Sequence, residues 1–467
     1  MNESFSRRNL LRMIGLGAVA TPIGSSPARA ATPSIRPRGI VFLVSDGMSP
    51  GVFTMAQNFS RFTREKDTAW WTFYNEPTST RGLMDNASAN SLVTDSAAAS
   101  SAWGGGQRVN NGSINVTPSG KPITPIAAVL KQKNPKTRIG LVTTATVTHA
   151  TPAGFAANVH QRGDEEIIAP QYLNRADIIL GGGSVFFRKD HRKDKRDLLG
   201  EFTEAGYGTP GTRKELLESP SARLLGTFTP KYLPFSIDHQ NNPELRQQIP
   251  TLEEMSEVAL SRFLSGNDPF LLQIEGARID HAAHLNDIGG LLHDQLAFDD
   301  ALATVLRMTA DKPDILVIAT SDHGNANPGL NGIGAGYTST TKCFRKILDF
   351  KASFERIFGD WKNNPDKSPD LLQGMVKSHL DIDLTKSETS AVIKAIEEGK
   401  AEDWNHLHQN PEGILGQIIG NHCGIGWTGT THTSDPTLIT ARGPGAERFQ
   451  GLVVNTDVFT HLNDLLA

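Results

Sequence analysis

Five short, continuously apolar runs punctuate the chain: Gly39 to Ser45 (GIVFLVS), Arg138 to Thr143 (RIGLVT), Asp177 to Leu180 (DIIL), Phe270 to Ile274 (FLLQI) and Ile315 to Ala319 (ILVIA). None shows the strict alternation of a half-exposed strand, so each predicts a strand covered on both faces. Helical patterns lie between them, with legible starts. Ser49-Pro50 precedes a helix running towards Arg61, and Thr124-Pro125 precedes another over Ile126 to Lys133. Thr251-x-x-Glu254 is a capping box ahead of Met255 to Leu264. A further helix is predicted from Pro152 to Arg162. This alternation predicts an α/β fold with a large, mostly parallel central sheet flanked by helices on both faces. In such sheets the functional residues sit in loops past the strand C-termini. From about residue 331 to 420 the rhythm breaks. Helix formers dominate there, in segments such as Phe344 to Ile357 and Glu388 to Glu398, and predict a mostly helical elaboration inserted between two sheet elements.

The N-terminus follows a different rule. Ser6-Arg7-Arg8-Asn9-Leu10-Leu11 is a twin-arginine pattern, followed by an apolar stretch, Met13 to Ala20, and a small-residue site, Ala28-Arg29-Ala30. That order is the order of an export signal, and the apolar stretch is too short to span a bilayer. The expectation is a signal peptide over residues 1–30, a single catalytic domain over 31–467, and a periplasmic or secreted location. Loss of residues 1–30, with four arginines and one glutamate, would take the net charge from −4 to −7. Such a balance lacks the basic excess of a nucleic-acid binder. No later segment reads as transmembrane. The alternating charges from Arg188 to Asp197 read as a solvated surface turn. Export would permit a disulfide between Cys343 and Cys423, but their spacing does not establish one. Without a Cys-x-x-Cys motif, any metal must be held by His, Asp and Glu.

Polar residues gather at strand ends. Asp46 closes GIVFLVSD, Glu275 closes FLLQIE and Asp322-His323 closes ILVIATSDH, each before a glycine. Five residues past Glu275, Asp280 and His284 stand four apart, so on a helix they share one face and can grip one ion. Ser96, after Asp95, opens a small-residue helix, and the unsatisfied N–H groups there favour an alkoxide or phosphate. No histidine adjoins Ser96 in sequence, so a metal ion is the candidate activator of its hydroxyl. Arg162 offers a planar fork suited to phosphate oxygens.

The blocks VFLVSDGM, SLVTDSAAAS, THATPAGFAANVHQR, IILGGG, LLQIEGARIDHAAH, LAFDDAL, VIATSDHGN and THTSD occur in this order from Val41 to Asp435. Together they resemble the alkaline phosphatase family. The resemblance implies hydrolysis of phosphate monoesters through a phosphoserine on Ser96, with two zinc ions and one magnesium ion. It assigns Asp280, His284 and His432 to the first zinc, and Asp46, Asp322 and His323 to the second. Asp46, Thr151 and Glu275 fall to the magnesium, and Arg162 to the phosphate, with Asp95 and His281 beside it. A homodimer is implied as well. The family's bacterial type has aspartate where this chain has His149 and lysine where it has His281; histidine at both resembles the animal enzymes. His149 is thus expected at, or just behind, the third metal site.

Two other classes compete. A sulfatase needs Cys or Ser in a C/S-x-P/A-x-R setting, whereas Ser96 is followed by Ala97-Ala98-Ala99. A phosphodiesterase differs mainly in what surrounds the ester. A non-catalytic metal- or phosphate-binding protein would need neither Ser96 nor Arg162, and both are present.

Overall fold

The computed structural model describes residues 36–466, so the twin-arginine segment lies outside the described residues. Nine strands form one sheet: β1 (Gly39–Ser45), β2 (Thr80–Asp85), β3 (Arg138–Thr146), β4 (Ile178–Gly182), β5 (Leu224–Thr227), β6 (Phe270–Gly276), β7 (Ile315–Thr320), β8 (Thr437–Arg442) and β9 (Gly451–Val454). Their spatial order is β9-β2-β8-β7-β1-β6-β3-β4-β5. Every pairing is parallel except those of β8, which runs antiparallel to both β7 and β2. The five strands expected from the apolar runs are β1, β3, β4, β6 and β7.

The continuous apolar runs have the physical consequence expected of them. Along β1, Val41 and Leu43 join one hydrophobic core, while Ile40, Phe42 and Val44 join another on the opposite face. In β7, Ile315, Val317 and Ala319 divide from Leu316 and Ile318 in the same way. Both faces are therefore covered by helices, and a polar residue in mid-strand would be buried whichever way it pointed.

Four helices position the site: α1 (Pro50–Arg64), α2 (Ser96–Gly105), α3 (Ala150–Ala156) and α4 (Arg278–His284). Phe42 pins two of them to the sheet, with its ring 5.1 Å from Trp103 of α2 and 5.7 Å from Phe155 of α3. The two helices meet through glycine. A Cβ on Gly104 would lie 1.9 Å from the Gly154 carbonyl oxygen, and one on Gly154 would lie 2.3 Å from Ser100 Oγ. No side chain fits there, so α2 packs closely against α3.

Three expectations change. The helix predicted over Pro152 to Arg162 is α3 alone. It stops at Ala156, because Ala157 is already extended and Val159 pairs with Ile114, leaving Arg162 on a loop anchored by its N–H to the Gly112 carbonyl. The predicted helix Phe344 to Ile357 is broken. A short helix over Thr340–Phe344 passes into a 3₁₀ turn, and a new helix, Phe354–Asn363, starts where the Ser353 side chain accepts the Arg356 N–H. The helix near Glu388 is present as Lys386–Glu398, opened by a Thr385–Glu388 capping box. The charged run from Arg188 to Asp197 is a surface turn except at Arg192. That guanidinium is buried and bonds the Glu166 and Phe186 carbonyls as well as Asp194. Cys343 and Cys423 are both free thiols. Among the described residues no helix is long and apolar enough to cross a membrane.

Candidate metal and phosphate site

The parallel strands β7, β1, β6 and β3 are neighbours, so their C-terminal ends open on one edge of the sheet. Asp46 follows β1, Asp322 and His323 follow β7, Glu275 lies at the C-terminal end of β6, and the chain leaving β3 carries His149 and Thr151. Register aligns them: Val44 is level with Glu275 and with Thr320, and Thr143 is level with Glu275. Thus one layer of side chains carries four carboxylates once Asp280, on α4, is added.

His432 arrives from far along the chain on a two-residue antiparallel ribbon, paired with Asn325, next to Gly324. This pairing stacks its ring on that of His323, 3.7 Å between centroids. His432 Nε2 lies 3.1 Å from His284 Nε2 and 3.5 Å from Asp280 Oδ1, while His284 Nε2 lies 3.4 Å from Asp280 Oδ2. Backbone carbonyls aim both rings: His284 Nδ1 donates to Thr430 O and His432 Nδ1 to Thr94 O, so both Nε2 atoms face Asp280. A second trio forms around His323, whose Nε2 is 3.1 Å from Asp322 Oδ2 and 3.7 Å from Asp46 Oδ1. The groups whose ligand atoms converge closely enough for one ion are Asp280–His284–His432, Asp46–Asp280–His323 and Asp46–His149–Glu275. Asp280 is thus shared by the first two and Asp46 by the last two, while Asp322, expected at the second, stands beside it through His323.

Hydrogen-bond accounting points to cations. Both oxygens of Asp46, Asp322 Oδ2, Glu275 Oε1 and Thr151 Oγ1 are buried without a hydrogen-bond partner. Buried polar groups are nearly always satisfied, and several carboxylates in one dry cavity repel one another. Burial, then Asp322, Asp280 and Glu275, pushes Asp46 well above the usual carboxylate range. Burial likewise drives Asp322 up to about 8. Burial holds the His323 and His432 rings below their ordinary value, so they favour the neutral form that binds metals. Against burial, the Asp280 carboxylate raises His284 to about 9. The donors are carboxylate oxygens and imidazole nitrogens. This set suits zinc where imidazoles gather and a harder ion where oxygens dominate.

Ser96 stands at the edge of this layer. Asp95 is the residue that caps α2, accepting the Ala98 N–H, so the Ser96 hydroxyl is not spent on capping. Its Oγ lies 3.1 Å from His323 Nε2. Asp95 also accepts the Gly112 N–H and pairs with Arg162, whose Nη1 is 3.1 Å from Asp95 Oδ2 and whose Nη2 is 3.1 Å from His149 Nε2. His149 is pushed down to about 3 by burial and by the Arg162 charge. His281 lies beside this group, its ring 5.7 Å from that of His149, but it belongs to none of the three ligand groups.

The candidate site residues read from the sequence therefore gather in this one region. Sequence reasoning missed several supports. Asn325 donates to Asp280 Oδ1, the Gly47 N–H donates to Asp322 Oδ1, and Thr143 donates to Glu275. Gly47 must be glycine, because its φ is +69° and a Cβ would lie 2.6 Å from Asp280 Oδ1. That glycine was visible in the turn after Asp46; the amide and hydroxyl donors carried no signal of their own. Arg278 and Tyr232, which enclose His281, were missed as well.

A family model described as "Alkaline phosphatase" matches residues 37–467. Alkaline phosphatase 3 of Bacillus subtilis is 29% identical over 434 residues, covering 90% of this chain and 87% of that protein. Streptomycin-6-phosphate phosphatase of Streptomyces griseus is 30% identical, covering 66% of this chain and 78% of that one. Among solved structures, the alkaline phosphatase of Thermus thermophilus superposes with a TM-score of 0.86 at 32% identity, covering 96% of this chain and 95% of its own.

Proposed function

The chain belongs to the alkaline phosphatase family, whose members are phosphoric monoester hydrolases, and we propose that it cleaves phosphate monoesters with Ser96 as nucleophile. The observation that carries this reading is the Ser96 hydroxyl beside His323, at the edge of a layer of buried, partnerless carboxylates, with the Arg162 fork close by. Asp280, His284 and His432 would hold one zinc, and Asp46, Asp322 and His323 a second. Asp46, Thr151 and Glu275 would hold magnesium, with His149 against it. These ions, when bound, supply the positive charge that offsets a phosphate dianion and eases deprotonation of hydroxyl groups.

The chain's own groups then account for the reaction. Arg162 binds two phosphate oxygens, and Asp95 holds the guanidinium in the plane that this needs. The first-turn N–H groups of α2 add positive potential at the same point. Ser96 Oγ attacks phosphorus and gives its proton to solvent, the ester P–O bond breaks, and the alcohol leaves with a proton from solvent. Water then attacks the phosphoserine and gives up a proton, the P–Oγ bond breaks as Ser96 Oγ takes a proton back from solvent, and inorganic phosphate departs from the same Arg162 contact. His432 and His284, with their Nδ1 protons fixed on backbone carbonyls, keep their other nitrogens turned inwards throughout.

The proposal extends to an exported enzyme with a twin-arginine signal over residues 1–30, a single catalytic domain carrying a helical elaboration at about 331–420, and assembly as a homodimer. Metal analysis of the purified protein, run beside hydrolysis of an aryl phosphate monoester and its diester, tests the core of it. Two zinc ions and one magnesium ion per chain with strong preference for the monoester are expected. A preference for the diester, or turnover undiminished after chelation, would overturn it.

A further inference from the structure

Arg278 is among the largest fully buried side chains among the described residues, yet none of the roles above uses it. It sits in α4, two residues before Asp280. Its guanidinium stacks on Phe235, 3.6 Å from the ring centroid, and lies 5.6 Å from that of Tyr232. Nη2 bonds both oxygens of Glu355, at 2.9 and 2.8 Å. Nη1 lies 2.8 Å from His281 Nδ1. Glu355 comes from the helix Phe354–Asn363, inside the elaboration, so this arginine connects that segment to the site.

Donor counting fixes the direction of the last contact. A guanidinium has N–H groups and no acceptor, so at 2.8 Å the imidazole nitrogen facing it must be the acceptor. An N–H at His281 Nδ1 would point at another N–H. The proton of a neutral His281 ring therefore sits on Nε2, and a nitrogen carrying a proton cannot ligate a metal. Tyr232 packs against the same ring, with ring centroids 4.5 Å apart and the planes tilted by 51°.

We propose that Arg278, held by Glu355, is a positioning residue that fixes His281 in its Nε2–H form, making it a hydrogen-bond donor at the phosphate site and keeping it from becoming a metal ligand. The proposal rests on the phosphatase reading for the partner of that donor, but the tautomer itself does not depend on it. The elaboration thereby gains a role, since through Glu355 it anchors a side chain of the catalytic layer.

The test uses the metal-loaded enzyme with ¹⁵N-labelled histidine, and His281→Asn to assign the His281 resonances. Long-range ¹⁵N–¹H correlation separates a protonated from a lone-pair nitrogen. Parent enzyme is expected to show the Nε2–H pattern with no metal-induced shift at either nitrogen. Arg278→Gln is expected to shift the ring towards a tautomer mixture and to cut kcat/KM about tenfold. Arg278→Lys, which keeps a donor and a charge, is expected to restore most of both. Should Arg278→Gln fold poorly, Glu355→Gln, altered at a mostly exposed partner, is expected to move the same resonances in the same direction with a smaller loss. An Nδ1–H pattern in the parent, or a metal-shifted His281 nitrogen, overturns the proposal. So does an unchanged His281 spectrum in both Arg278→Gln and Glu355→Gln. An Nε2–H pattern in a protein without phosphatase activity would instead overturn the functional reading and leave the positioning role standing.

Discussion

Removing the Arg162 side chain should weaken phosphate binding, in part because it also strands a carboxylate. Arg162 spends one prong on Asp95 and the other on His149, each at 3.1 Å. A charge-assisted hydrogen bond contributes about 1.5–3 kcal/mol. Two such contacts to phosphate set an upper bound of about 6 kcal/mol, and two effects reduce it. Phosphate replaces existing partners rather than finding idle donors, and the side chain is 28% exposed, so water screens it. The expected loss for Arg162→Ala is therefore about 2–3 kcal/mol, or roughly 30- to 150-fold in phosphate affinity. Part of that loss belongs to Asp95, left unpaired beside a dianion. Asparagine is as good an N-cap as aspartate, so Asp95→Asn still accepts the Ala98 N–H and keeps α2 intact. In the Arg162→Ala background it should recover about 1 kcal/mol, roughly fivefold. Competitive inhibition by inorganic phosphate, measured for the parent, both single variants and the double variant, supplies the numbers. An unchanged inhibition constant in Arg162→Ala would show that the fork does not hold phosphate. A double variant weaker than Arg162→Ala would refute the repulsion between Asp95 and the dianion.

Three further expectations follow from separate parts of the molecule. Gly47→Ala forces a Cβ to 2.6 Å from Asp280 Oδ1 at a φ of +69°, so zinc content measured by atomic emission should fall, and full loading would show that Asp280 yields without leaving the ion. His149→Asp gives Asp46 and Glu275 an oxygen neighbour in place of nitrogen, so calorimetric titration should show tighter magnesium and weaker zinc at the third site, and an unchanged pair of affinities would remove His149 from it. Asp294 is buried, accepts the Ser236 N–H and hydroxyl, and is pushed by burial up to about 7. Its folded value exceeds its unfolded one, so its stabilising contribution is whole below about pH 4 and is lost as the pH rises through 7. Relative to the parent, Asp294→Asn should therefore gain stability in urea unfolding between about pH 5 and 8, and a parallel pH dependence in both proteins would contradict it.

The strands and their ends were legible because a two-faced sheet leaves a plain mark: GIVFLVS and ILVIA are apolar throughout and lead into an acid within a few residues. The acids, the Asp280–His284 pair and the glycine after Asp46 could all be read there. What brings His432 to them could not. It depends on a two-residue ribbon with Asn325, too short to carry periodicity. The loop position of Arg162 escaped because Pro152 to Ala156 begins as a helix and ends through a tertiary pairing of Val159 with Ile114. The break after Phe344 escaped for a similar reason: the Phe350 and Ala352 side chains are buried, which helical periodicity alone does not distinguish from a continuing amphipathic face. Arg278 was overlooked because an arginine three residues after a strand-end glutamate reads as surface, and only the aromatic cover of Phe235 and the reach of Glu355 make it an interior residue.

The proposed chemistry stands or falls on Ser96 carrying the phosphoryl group. Incubating the metal-loaded protein with ³²P-labelled inorganic phosphate, quenching in acid and mapping the labelled peptide tests this in one step. Label is expected on the peptide spanning Thr94 to Trp103, at Ser96, and is expected to disappear in Ser96→Ala. Label on any other residue, or retention of label in Ser96→Ala, would contradict it.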